Sequence, residues 1–94
     1  MESGKDIFKK ANLGKISNRK IIKYGKIGDN IGYELAKYIN NEKYTLSFVE
    51  KIGEDYIYDY NKCIEGSLQD MIKYIVECEK EKNIIKFKKT IDKL

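Results

Sequence analysis

YELAKYINNEKYTLSFVEKI, residues 33–52, is the stretch whose reading decides the fold. Tyr33, Leu35, Lys37 and Ile39 fall on one side of a period-two alternation, and Glu34, Ala36 and Tyr38 fall on the other. Beyond Asn40-Asn41, Tyr44, Leu46 and Phe48 alternate with Thr45, Ser47 and Val49. Alternation of this kind, rich in aromatic and β-branched residues, is the mark of a half-buried strand, and Asn-Asn is a turn signal. An even-length loop at Asn40-Asn41 places Tyr33 and Leu35 on the same face as Leu46 and Phe48. The two strands then build one apolar-aromatic face with a mostly polar face behind it, where Tyr38, Ala36, Val49 and Ile57 lie. A helix over 30–39 is the alternative, because Ile31, Leu35, Tyr38 and Ile39 also fit i, i+4, i+7 and i+8. The alternation favours strand.

Working outward, Lys20–Ile27 is rich in strand formers and stops at Gly28-Asp29-Asn30. On the other side, Gly53-Glu54-Asp55 turns the chain into Tyr56, Tyr58 and Tyr60, which alternate with Ile57 and Asp59. A three-residue loop there sets Phe48 opposite Tyr60 and Glu50 opposite Tyr58. Residues 20–62 therefore read as an antiparallel β-meander of three to four strands. Ser67 and Asp70 then have the spacing of a capping box, and Leu68, Met71, Ile72, Ile75 and Val76 form a broad helical stripe behind them. That stripe is expected to cover the aromatic face, with Ile72 and Ile75 in the core. Ile84, Phe87, Ile91 and Leu94 continue it in nearly the same phase, so the segment 67–94 is either one long amphipathic helix or two broken near Asn83. At the other end, Ser3 and Asp6 again suggest a cap, with Ile7, Phe8 and Ala11 on one face of a short helix over 4–12 that Gly14 ends. The expected architecture is α+β in one domain, 1–94: short helix, meander, C-terminal helix packed on one sheet face.

Charge is sorted along this architecture. Residues 1–28 carry a net +6, residues 29–79 a net −6 and residues 80–94 a net +4. Such sorting gives a small protein surfaces that attract different partners. Ile, Lys, Asn and Tyr are abundant, Pro, Trp and His are absent, and Arg19 is the only arginine. This usage points to an A/T-rich genome, which makes the raw lysine count less informative than its placement. No apolar run approaches the ~20 residues needed to cross a bilayer, and the N-terminus has neither the apolar stretch nor the cleavage site of a secretory signal. A cytoplasmic protein without a membrane partner is expected.

Enzyme chemistry has little to build on. Without His there is no Ser-His-Asp or Cys-His pair, and Cys63 and Cys78 match no zinc or CxxC spacing. Gly14-Lys15-Ile16-Ser17 lacks the upstream glycine and strand of a phosphate-binding loop. The paired carboxylates Glu54, Asp55 and Asp59 fall at a hairpin tip, where solvent keeps them ionised rather than raising a pKa for acid catalysis. No catalytic residue, cofactor or metal is expected.

Two sets of residues stand out as binding candidates. The first is an acidic and aromatic hairpin, Glu50, Glu54, Asp55, Tyr58 and Asp59, suited to a basic groove on another protein. The second is a cationic run, Lys15, Arg19, Lys20 and Lys23 with Tyr24 for stacking, suited to nucleic acid or another anion. In size and composition the chain resembles small accessory proteins carried by phages and mobile elements of A/T-rich bacteria. The resemblance is one of style and transfers no residue roles. The lack of enzyme chemistry, the compact size and an acidic hairpin beside exposed aromatics favour an accessory inhibitor that acts on a host protein such as a defence nuclease. The favoured expectation is a non-catalytic protein-binding module of that kind. Its alternatives are a small nucleic-acid-binding protein using the basic 9–26 segment, and a homo-oligomer that sequesters a small anion such as a nucleotide.

Overall fold

The alternation at the centre of the sequence becomes the centre of a sheet. The computed structural model describes residues 18–57 and 63–92. In it β1 (Arg19–Ile27), β2 (Ile31–Tyr38), β3 (Tyr44–Ile52) and β4 (Asp55–Ile57) form an antiparallel sheet in chain order, and β5 (Ile64–Gly66) also pairs with β3. β4 and β5 thus share one edge of the sheet, with β1 at the other. The helix expected over 4–12 lies outside the described residues.

Tyr33 pairs with Phe48 and Leu35 with Leu46, so the two strands share the face that the Asn40-Asn41 loop implied. The loop is held by Tyr38 N–H donating to the Lys43 carbonyl at 3.0 Å and by Asn41 Oδ1 accepting from Lys43 N at 2.8 Å. Residues 31–38 are strand, not helix. Two departures from the sequence reading matter for function. The β3–β4 turn has two residues, not three: Ile52 pairs with Asp55 and Glu50 with Ile57, and the expected partners Tyr58 and Tyr60 lie outside the described residues. Gly53 makes this possible by adopting φ +62° at the first turn position. One residue fewer in the turn shifts every pairing beyond it, and it moves Ile57 out of register with the Tyr38, Ala36 and Val49 row.

The second departure is the back of the sheet. Ala36, Thr45, Ser47 and Val49 are fully buried there and Glu34 nearly so, so the mostly polar face that the alternation implied is a covered one. At its centre Ala36, Thr45, Ser47 and Val49 are small or β-branched, side chains that pack without a wet surface.

On the other face Ser67 caps α1 (Leu68–Glu81), its Oγ accepting from Asp70 N at 3.2 Å. The helix ends at Lys82 in the left-handed conformation. Asn83 bridges the break: its side-chain amide donates to the Glu81 carbonyl, and its Oδ1 accepts from Ile85 N at the start of α2 (Ile85–Asp92). The C-terminal segment is therefore two helices. α1 presses Met71, Ile75 and Cys78 onto Leu35, Leu46, Phe48 and Ile64, and α2 adds Phe87, with Ile84 just before it. Phe48 meets Phe87 edge-to-face at 4.5 Å between centroids. Ile72 is not in this core. It is 47 % exposed, because Met71, Ile75 and Cys78 set the phase and Ile72 sits one step, about 100°, around the helix from Met71.

At the β1 edge, Gly25 lies opposite Tyr33, and a Cβ there would come within 2.0 Å of the Tyr33 ring. The ring lies across the strand where a side chain would stand, with the Lys23 ammonium 6.0 Å from its centroid. Gly25→Ala should therefore destabilise the fold by about 1–3 kcal/mol, the usual penalty for overpacking, and Tyr33→Leu in the same chain should return part of it. Urea melts of the single and double variants check this; a neutral Gly25→Ala would mean the ring is free to swing away.

Candidate interaction surfaces

A single backbone irregularity decides where the only arginine goes. β1 pairs with β2 in register from Ile27–Ile31 back to Lys23–Leu35, then slips by one residue at Ile22, and resumes at Ile21–Ala36. This bulge reverses the alternation for residues 19–21. Without it Arg19 would share the face of Lys23 and Ile27; with it Arg19 faces Tyr38 on the back of the sheet.

There Arg19 organises a polar cluster. Its Nη1 donates to Thr45 Oγ1 at 3.1 Å and lies 3.7 Å from Cys63 Sγ, and its guanidinium carbon stands 5.8 Å from the Tyr38 ring centroid. Tyr38 donates its hydroxyl to Glu65, and that bond, with smaller contributions from burial and the carboxylate charge, pushes the phenol up to about 12. Burial raises the Glu34 carboxyl above its ordinary value, while the Arg19 charge and a hydrogen bond from Tyr24 pull it back. Burial likewise raises the Tyr24 phenol, with Glu34 adding to the shift. The Cys63 thiol is pushed up by burial and by the nearby carboxylates, against the pull of Arg19. Arg19 Nε and Ser47 Oγ are buried without a hydrogen-bond partner among the described residues. Cys63 belongs to this cluster, whereas Cys78 packs in the helix-side core, and no disulfide joins them.

The cationic candidates are consequently divided. Arg19 and Tyr24 are engaged on the back of the sheet, while Lys20 and Lys23 are exposed and pair in register with Lys37 and Leu35. Lys15 lies outside the described residues. Of the acidic candidates, Glu54 occupies the exposed turn, Asp55 opens β4 beside exposed Ile52, and Glu50 is half-buried in β3. Tyr58 and Asp59 lie outside the described residues.

Two surfaces were missed by the sequence reading. Leu68, Ile72 and Val76 remain 36 %, 47 % and 42 % exposed, in a line at i, i+4 and i+8 along α1. The sequence contained them but merged them with the buried row one step away. An open groove of about 370 Å³ also lies beside α1 and β5, lined by Ile64, Glu65, Asp70, Lys73, Tyr74 and Glu77. Among the described residues no three Cys, Asp or Glu side chains converge to hold a metal ion, and no helix is long and apolar enough to cross a membrane. No protein-family model, curated protein or solved structure matches this chain.

Proposed function

We propose that this chain is a non-catalytic protein-binding module and that the apolar ridge of α1 is its principal contact surface. The observation that carries the reading is the alignment of Leu68, Ile72 and Val76 outside the core. Isolated exposed apolar residues are ordinary, but three on successive turns of one helix form a continuous strip of the kind that docks into a partner's apolar groove. The strip is framed by Lys73, Glu79 and Lys80, all exposed, which supply the polar rim of an interface. Absence of His from the chain favours a role by occupancy over one by catalysis. Blocking a groove on a host protein, as an accessory inhibitor does, needs only shape and charge. Nucleic acid is the less favoured partner, because Arg19 and Tyr24 are committed to Thr45, Cys63 and Glu34 rather than aligned with Lys20 and Lys23.

The test is comparative affinity capture from a bacterial lysate with the whole chain, the Ile72→Asp/Val76→Asp variant and the Glu54→Lys/Asp55→Lys variant. Both variants change exposed positions, so each should melt close to the parent, within about 0.5 kcal/mol per site. A protein set retained by the parent and lost with the ridge variant, then re-formed from purified components, is the expected result. Loss only with the hairpin variant would move the contact to the acidic turn. An identical set from all three would overturn the reading.

A further inference from the structure

We propose that β1 is a second docking edge, built to accept an acidic, extended segment of another protein as an added strand of the sheet. The inference stands apart from the α1 ridge and rests on a different part of the molecule.

β1 is nine residues long and lies at the end of the strand order, pairing with β2 alone among the described residues. An edge strand points every other N–H and C=O away from its neighbour, a row of donors and acceptors ready for another chain. Side chains 20–23 are all exposed, and among the described residues no second strand pairs with this part of the edge. The strand carries Arg19, Lys20, Lys23 and Lys26 and no acid. The acids Glu54, Asp55 and Glu65 belong to the opposite edge, at β4 and β5. The strand order has therefore turned the charge blocks of the sequence into one cationic edge and one acidic edge.

Lysines and a bulge are also how sheets protect a free edge from indiscriminate pairing. That explanation accounts for Lys20, Lys23 and the slip at Ile22. It does not account for Ile21 and Ile22, 46 % and 48 % exposed at the one place where the edge is already interrupted. A guarded edge gains nothing from two bare isoleucines, whereas a docking edge gains an apolar contact between its charges. Charge also selects the occupant. Two copies of β1 side by side would set lysine against lysine, which is destabilising, while glutamates or aspartates alternating with apolar residues match both the charge and the isoleucines. Backbone bonds then supply affinity and the lysines supply choice.

The experiment uses the full chain, isotopically labelled, and follows its amide resonances during titration with three probes. These are an acetylated, amidated octapeptide alternating Glu and Val, the same peptide N-methylated at its four central amides, and an eight-residue oligothymidylate. The expected result is shifts confined to β1 and its β2 neighbours with the first peptide, weakening as salt is raised, and affinity at least about tenfold lower for the methylated peptide, which cannot complete the ladder. Lys20→Glu/Lys23→Glu should lower affinity about tenfold and transfer preference to a Lys-Val peptide. If that variant fails to fold, Lys20→Gln/Lys23→Gln serves, with a smaller loss expected. Equal binding of the methylated peptide, tighter binding of the oligothymidylate at the same residues, or no shift at β1 would each overturn the proposal. So would a mass that rises with concentration and falls on Lys20→Glu/Lys23→Glu, which would make the chain's own acidic edge the occupant.

Discussion

Phe48→Ala is expected to remove about 3–5 kcal/mol of folding stability, the range for truncating a buried aromatic. The whole domain has only about 5–15 kcal/mol to lose. Phe48 is the residue where all the layers meet. It stands on the central strand β3, opposite Tyr33 with ring centroids 6.2 Å apart, and edge-to-face on Phe87 of α2 at 4.5 Å. Removing the ring leaves a cavity between sheet and helix that neither can collapse into, because β3 is paired on both sides. Phe87→Ala should destabilise as well, and the double variant should lose less than the sum by about 0.5–1.5 kcal/mol, the worth of an aromatic pair beyond its buried area. Urea denaturation of the four proteins measures this. A Phe48→Ala loss below about 1 kcal/mol would mean that α2 is not held by this contact. By the same logic Ile75→Ala should cost about 2–5 kcal/mol, while Ile72→Ala stays near the level of a surface substitution, roughly 0.5 kcal/mol.

Arg19→Met should cost about 1–3 kcal/mol near pH 8, and less near pH 5, because it removes the hydrogen bond to Thr45 and the positive charge that opposes the rise of the Glu34 carboxyl. Burial already holds the Glu34 carboxyl above its ordinary value of 4.5, and Arg19 is the main influence opposing that rise. A carboxyl raised in the folded state penalises folding when it is ionised. The penalty is full above its folded value and disappears below the unfolded one, so stability from this group falls as pH rises through the folded value. Taking Arg19 away raises Glu34 further and widens the penalty at neutral and alkaline pH. Glu34→Gln in the Arg19→Met background should therefore restore part of the loss at pH 8 and little at pH 5. Urea melts of the three proteins at both pH values decide the matter. An equal loss at the two pH values would show that Arg19 acts through its hydrogen bond to Thr45 and its packing on Tyr38, with no part played by the Glu34 charge.

The α+β class, the central strands and the capped helix were legible because each depends on local periodicity and local chemistry. Tyr33, Leu35, Leu46 and Phe48 could share one face only if 33–38 and 44–49 were paired strands, and Ser67 with Asp70 could begin only one kind of element. A helix break near Asn83 was likewise within reach, since an asparagine side chain can serve both the carbonyls that one helix leaves unpaired and the amides that the next exposes. The surfaces were a different matter. Each depended on a displacement of one residue, to which hydropathy is blind.

The conformation of Gly53 made the β3–β4 turn two residues long and moved Ile57 opposite Glu50. The bulge at Ile22 turned Arg19 away from Lys23 and into the cluster with Thr45, Cys63 and Tyr38, dividing what reads as one cationic run. One step around α1 separated buried Met71 from exposed Ile72. By itself the sequence determined the central strands, the capped helix and where charge lies along the chain. Only the tertiary structure decided which side chains of those segments meet solvent, because facing in a strand reverses with one residue and in a helix turns by about 100°, and the packing of the whole core selects between such neighbours.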